Sequence, residues 1–257
     1  MTNTFLRYLL SKGYIHNWLV AGPLAIPVPD LSAFPAEELE LSIARQYHQP
    51  ELDVTFPPVD LGSLGPVTDV NPSIRWRYYR CQEDHLVDFS VAFPTCAFLR
   101  SWAYAGVHVP DEREATLVLS AYGPAEIWLN GQLLRRWEAF HKSSLQRMSL
   151  RAALRPGIND LLVRFETVAI RDTPYALALQ IQGLADEQVE ILLPTEIEPA
   201  YLERRQTLEK VIEKAYLDRY VYGYLTGDRY DKNEPIVLRF ANDLEVEGEI
   251  THRLQSL

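Results

Sequence analysis

Carboxylates and aromatic rings are the side chains of this chain best suited to chemistry. Hydrolysis of a glycosidic bond needs two carboxylates held at a fixed separation. The 257-residue chain offers Glu37, Glu38, Glu83, Asp84, Asp111, Glu126, Glu138, Glu166 and Asp172. A barrel that could present such a pair needs repeated strand–helix units, and only one convincing helix is visible. These acids therefore read as solvated surface groups. Holding a carbohydrate asks for something different: flat aromatic faces against the C–H surface of a sugar, and fixed polar groups for its hydroxyls. Residues of those types at loops or strand ends are Trp102, Tyr104, Tyr122, Trp137, His141, Arg171, Asp172 and Tyr175. Trp102 and Tyr104 share one face of a strand by period two, so core packing is their competing role. Trp128 sits inside a hairpin strand and reads as core.

Other chemistries lack their residues. Six histidines are scattered without a His-Glu-x-x-His pair on a helix. His108 alternates with Val107 and Val109 and should face solvent; His141 falls in a loop. No nucleophile elbow occurs, since Gly62-Ser63-Leu64-Gly65 has the wrong spacing, and no phosphate or dinucleotide loop is present. Cys81 and Cys96 are too few for a disulfide framework and form no Cys-x-x-Cys, so both should be reduced and buried. The net charge of −10 argues against a nucleic-acid partner, which selects basic surfaces. The one basic run, Arg75-Trp76-Arg77-Tyr78-Tyr79-Arg80, alternates charge with aromatic character as a half-buried strand would. The first residues carry only the short apolar run Tyr8-Leu9-Leu10, and Trp18–Val28 is short and broken by proline, so no membrane span is expected. This points to the cytoplasm, unless a leader has been removed.

The elements that must position these residues are mostly strands. Aromatic residues are plentiful, with 14 Tyr, 9 Phe and 5 Trp, and 17 prolines mark turns. Ile127-Trp128-Leu129-Asn130-Gly131-Gln132-Leu133-Leu134 predicts a tight hairpin, because Asn and Gly tolerate the positive φ of a two-residue type I′ turn. Arg155-Pro156-Gly157 predicts another turn. Expected strands are Tyr14–Val20, then 74–80, 86–91, 96–106, 115–121, 124–129, 132–137, 145–150, 160–167 and 174–182, a spacing of about ten residues that suits a sandwich. Residues 1–12 suggest a short amphipathic turn or helix. Nine prolines between 22 and 72 suggest extended loop over the sandwich, with a helical turn or two at Pro35–Leu39.

In order, the chain shows Trp18-Leu19-Val20-Ala21-Gly22-Pro23, the aromatic strand Trp102–Pro110, the alternating strand Ala115–Ser120, the Asn-Gly hairpin, and Leu154-Arg155-Pro156-Gly157-Ile158-Asn159-Asp160 leading into Leu161–Phe165. Across roughly residues 14–183 this resembles the galactose-binding-like jelly-roll domain on the N-terminal side of large glycoside hydrolases, including the sugar-binding domain of family 2 β-glycosidases. The resemblance implies a mainly β, jelly-roll sandwich that supports an active site built elsewhere. Related jelly rolls often carry a structural calcium ion. No oxygen-ligand loop like an EF-hand stands out here, so neither metal nor cofactor is expected.

After Pro194 the pattern changes. Leu208, Val211, Ile212 and Ala215 follow helical spacing, which predicts a helix over 201–217, and Pro235–Phe240 and Glu247–Leu254 predict two further strands. The expected division is a sandwich over 1–198 and, over 199–257, a linker helix with the first strands of a second β unit. The expected role is a non-catalytic accessory, carbohydrate-binding-like domain at the N-terminal side of a glycoside hydrolase, with a downstream catalytic domain as partner. The alternatives are a stand-alone carbohydrate-binding module and a structural interaction domain of another multidomain enzyme.

Overall fold

The computed structural model describes residues 4–51, 54, 58, 74–140, 144–195, 201–202, 212–217 and 236–240, with backbone alone at 91–94, 171–172, 212–217 and 236–240. The chain divides into two units, Met1–Glu196 and Ile197–Leu257.

The first unit is a sandwich of two antiparallel sheets. In chain order its elements are β1 (Thr4–Leu9), β2 (Asn17–Pro27), α1 (Leu39–Tyr47), β3 (Arg77–Arg80), β4 (Val87–Asp88), β5 (Val91–Val109), β6 (Arg113–Ala121), β7 (Ala125–Leu129), β8 (Gln132–Trp137), β9 (Gln146–Leu154), β10 (Gly157–Thr173), β11 (Ala176–Gln182) and β12 (Glu190–Thr195). The larger sheet has eight strands in the path β1-β12-β5-β10-β7-β8, with β2 beside β5 and β3 beside β2. The smaller has four, in the order β4-β11-β6-β9. This is the mainly β sandwich expected from the strand spacing.

The core between the sheets follows from period-two alternation. Phe165 of β10 lies 4.8 Å, centroid to centroid, from Tyr175 at the start of β11, and Phe89 stacks on Phe165 at 5.9 Å. Leu161 and Val163 share the Phe165 face, and Leu117, Leu119, Leu177 and Leu179 oppose them; all are buried. Each fully buried Leu or Phe contributes roughly 1.5–3 kcal/mol. Trp128 is buried, and Cys81 and Cys96 are buried, reduced thiols, as the sequence suggests.

The Asn-Gly hairpin forms as expected. Asn130 has φ 51° and Gly131 φ 80°, and Leu129 pairs with Gln132 across the two-residue loop. Its tip is tied to the second sequence motif. Asn130 donates from Nδ2 to Asn159 Oδ1 at 3.1 Å and accepts from the Asp160 N–H at 3.0 Å. The Asn159 amide also accepts from the Arg155 N–H at 3.0 Å and donates to the Arg155 carbonyl at 2.8 Å, closing the Arg155-Pro156-Gly157 turn.

Three segments differ from their sequence expectation. Thr4–Leu9 is a strand, because it pairs along its full length with β12 and buries Leu6. The helix near residue 39 runs on to Tyr47, because Ile43 and Ala44 of α1 pack with Val28, Cys96, Phe98 and Val168 in a second small core on the outer face of the larger sheet. In the second unit Tyr201 and Leu202 are helical, but Ile212–Leu217 is strand β13, paired antiparallel with β14 (Ile236–Phe240). Long-range pairing there overrides a local helical pattern, since β-branched and aromatic residues such as Ile212 and Tyr216 also suit a strand. Glu247–Leu254 lies outside the described residues.

Candidate functional site

Two places in the sandwich gather chemistry-bearing side chains. The first is the outer face of the larger sheet, beneath α1. Antiparallel register lines up Arg136, Glu126, Arg164 and Trp102 across β8, β7, β10 and β5, with Glu166 and Arg100 opposite each other two residues further along β10. Arg164 Nη2 lies 2.6 Å from Glu126 Oε2, and Arg100 Nε lies 3.2 Å from Glu166 Oε1. Arg136 Nη1 bridges both acids, at 3.0 Å from Glu126 Oε1 and 3.3 Å from Glu166 Oε2. From above, His48 presents Nε2 to Glu126 at 3.5 Å and Nδ1 to Glu166 at 3.4 Å. Glu138 joins Arg136 and Arg45 at the rim.

The chain beyond α1 covers this ladder with its own carbonyls. Arg100 Nη2 donates to the Tyr47 carbonyl at 2.7 Å and Nη1 to the Gln49 side chain at 2.8 Å; Arg164 donates to the carbonyls of Gln49 and Glu51. Burial would raise the Glu166 pKa, but the His48 hydrogen bond and the positive charges of Arg100, Arg136 and Arg164 outweigh it and hold the carboxyl below its usual range. Arg136 is likewise held more firmly protonated, because Glu166, Glu138 and Glu126 outweigh its burial. Glu126 and Glu166 thus correct the expectation of solvated surface acids: each is 1% exposed and committed to arginines. A carboxylate in that state is a poor proton donor, so the ladder serves to hold the outer layer to the sheet.

The sequence candidates for ligand contact separate into two groups. Trp102 is wholly buried in its row beside Arg164. Tyr104 is 2% exposed and donates to Asp160 Oδ1 at 2.8 Å; burial and then the Asp160 charge push its pKa up. Tyr175 is 2% exposed and donates to the Phe165 carbonyl at 2.8 Å. These three are core residues: Tyr104 lies edge-on to Trp76, Tyr175 packs with Phe89 and Phe165 between the sheets, and Trp102 has no exposed surface. Arg171 and Asp172 lie near the end of β10, opposite Phe93 and Ala92, with their backbone alone described. His141 lies outside the described residues.

Tyr122 and Trp137 remain, and both are half-buried. They mark the second place, the flank of sheet-edge strands, with β8 at the end of the larger sheet and β9 at the end of the smaller. Trp137 lies opposite Ala125, which lies opposite Phe165, so it shares the face turned toward the smaller sheet. On β9, Met148 lies opposite Leu119 and Leu150 opposite Leu117, again on the inner face. Further along β9 the same face is closed, with Ala152 and Leu154 buried, whereas Gln146, Met148 and Leu150 are half-buried. Tyr122 begins the turn that crosses from β6 to β7. Gly123 fixes that turn against the sheet: a Cβ there would lie 2.2 Å from the Glu166 carbonyl oxygen. Strand β8 thus offers a half-open aromatic face and the exposed Arg135, and β9 offers the half-open Met148 and Leu150.

No protein-family model matches the chain, and no curated protein matches it. Among solved structures it is similar to a family 35 carbohydrate-binding module from Clostridium thermocellum, at 13% identity and TM-score 0.27, covering 39% of this chain and 89% of that one. It is similar to a β-glucosidase from Kluyveromyces marxianus, at 12% identity and TM-score 0.32, covering 56% of this chain and 16% of that enzyme. It is also similar to a PA14 sugar-binding domain from an RTX adhesin, at 14% identity and TM-score 0.29, covering 70% of this chain and 99% of that domain. At such identities and scores the functional reading rests on the residues of this chain.

Met148 and Leu150 were missed by sequence reasoning as flank residues. Their alternation with Arg147, Ser149 and Arg151 was legible, but it gives a strand face and not the fact that the strand is a sheet edge. Among the described residues, no group of three or more His, Cys, Asp or Glu could hold a metal ion, and no helix is long and apolar enough to cross a membrane.

Proposed function

We propose that this chain is a non-catalytic, carbohydrate-binding accessory unit whose ligand lies along the flank between β8 and β9. The observation that carries this reading is the half-buried Trp137 on the inner face of edge strand β8, with Met148 and Leu150 half-buried on the inner face of edge strand β9, while Trp102, Tyr104 and Tyr175 are core. A tryptophan so placed offers a flat apolar face to a sugar ring, and Arg135 and Gln146 offer donors for hydroxyls. In this reading the chain is the N-terminal part of a cytoplasmic glycoside hydrolase, and its partner is a downstream catalytic domain whose active-site rim it supports.

The test is a panel of soluble mono- and oligosaccharides followed by thermal unfolding. A ligand bound by the folded state alone raises the melting temperature, by an amount that grows with its concentration. The expected result is a stabilising sugar whose effect disappears in Trp137→Ala and persists in a variant at a solvent-facing position of β9, Arg151→Ala. A sugar that stabilises Trp137→Ala as well as the parent chain would move the site off the flank. A panel without a stabilising sugar would leave the unit a scaffold.

A further inference from the structure

At the end of the sandwich built around the Ser11–His16 connection, two histidines face each other. Ser11 and Tyr14 exchange backbone hydrogen bonds of 2.9 Å around a tight Lys12-Gly13 turn, both of whose residues have positive φ. This tip docks on the smaller sheet: the Ile15 N–H donates to the Leu179 carbonyl, the Ile181 N–H to the Gly13 carbonyl, and the Gly13 N–H to Asp186 Oδ1. Against it lies the turn between β3 and β4, closed by the His85 N–H donating to the Gln82 carbonyl, with His85 at φ 59°. The Cys81 N–H donates to the His16 carbonyl at 2.9 Å. The side chains complete the contact. His16 Nδ1 and His85 Nδ1 are 3.2 Å apart, and the His85 ring stacks on Tyr14 at 4.6 Å with 5° between planes.

We propose that the His16–His85 pair is an acid-sensitive latch that fastens the N-terminal hairpin tip to the β3–β4 turn and releases it below neutral pH. The pair needs one Nδ1 to donate and the other to accept, so an unprotonated ring nitrogen must survive. When both rings carry two N–H groups the acceptor is lost and like charges face each other. The surroundings oppose protonation. Burial lowers the His16 pKa most, followed by the charges of His85 and Arg80, against the opposite pull of Asp84, to about 4. Burial also lowers the His85 pKa, helped by Lys12 and opposed by Asp84. Tyr14, Cys81 and Asp186, which accepts from the Gly13 N–H, also face the contact; burial, reinforced by Asp84, raises the Cys81 thiol to about 12, so it stays neutral throughout. Because the folded His16 pKa lies below its unfolded value near 6.5, the unfolded or opened segment binds more protons in acid. The latch is therefore intact above about pH 6.5 and is lost progressively as the pH falls toward 4.

Native-state amide hydrogen exchange from pH 7.5 to 4.5, with each rate normalised to the unfolded-chain rate at that pH, tests this on the full chain. Expected is a fall of about tenfold or more in the protection of Ile15, Cys81 and His85 relative to Leu161–Phe165, as a pKa displacement of at least one unit requires. In His16→Phe, which keeps a ring, and in His85→Asn, which tolerates positive φ, the pH dependence of the relative protection should be clearly weaker, because one histidine and the contact between the two rings are gone. A constant ratio between the two sets of amides in the parent chain would overturn the proposal. So would an undiminished pH dependence in whichever of the two variants folds.

Discussion

The outer face of the larger sheet and the β8–β9 flank use polar and aromatic side chains in opposite ways. On the outer face, Glu126, Glu166, Arg100 and Arg164 are almost wholly buried, and their charges are spent on one another and on the carbonyls of Tyr47, Gln49 and Glu51. On the flank, Trp137, Tyr122, Met148 and Leu150 are left half open by sheets that end there. A buried, paired charge specifies which layer lies on which sheet, at a desolvation cost that only its partners offset. A half-open aromatic contributes less to stability and keeps an apolar face available to a ligand. The richest cluster of chemically capable groups in this sandwich is thus its least available.

The comparison can be broken most forcefully at the ladder. Glu166→Gln removes the carboxylate charge beside Arg100 and one of the three acids that Arg136 engages, and should destabilise the fold by about 3–5 kcal/mol, read as a lowered urea midpoint at unchanged m. A loss under about 1 kcal/mol would mean that the ladder is not what holds the outer layer. Next comes the knot between the two turn motifs. Asn159→Ala strands the Asn130 amide and the Arg155 backbone groups and should cost about 1–3 kcal/mol, with Asn130→Ala costing similar or less and the pair coupled in a double-mutant cycle. Strict additivity of the two would show that the turns are independent.

Acid should act by a different route. Stability contributed by neutral His16 is present above its unfolded pKa near 6.5 and declines toward pH 4, whereas Glu166, held below its usual range, loses its contribution only as pH falls below the ordinary glutamate region. Urea midpoints measured between pH 7.5 and 4.5 should therefore fall first with a slope that His16→Phe reduces. The smallest effect on stability is expected at the flank: Trp137→Ala should shift the midpoint by less than the ladder or knot variants and act mainly on ligand binding. A large loss of stability there would make Trp137 one more core residue.

What was legible in the sequence is local. Asn130-Gly131 and Arg155-Pro156-Gly157 carry their turn geometry in their own backbone preferences, so the hairpin and the strands around it followed from a few residues. The ladder was not legible, because Glu126 and Arg164 become cross-strand neighbours only once β7 and β10 pair, and acids spaced irregularly along a β chain look like surface acids. For the same reason Trp102, Tyr104 and Tyr175 passed as strand-end aromatics: period two tells which residues share a face, and not whether a second layer covers it. Tyr104 is met by Trp76 and Asp160, and Tyr175 by Phe89 and Phe165 between the sheets. The Ile212–Leu217 strand shows the same limit from the other side, since its pairing partner begins nineteen residues after its end, at Ile236.

The central claim is that the flank, and within it Trp137, is where a carbohydrate meets this chain. The most direct test follows the indole N–H resonances of the five tryptophans while the isotope-labelled chain is titrated with the best oligosaccharide from the panel. Trp18, Trp76, Trp102 and Trp128 are buried, so the account predicts that the Trp137 signal shifts in a saturable manner together with backbone signals of β8 and β9. Saturable shifts that leave Trp137 and both edge strands untouched, or no shift with any sugar, would contradict it.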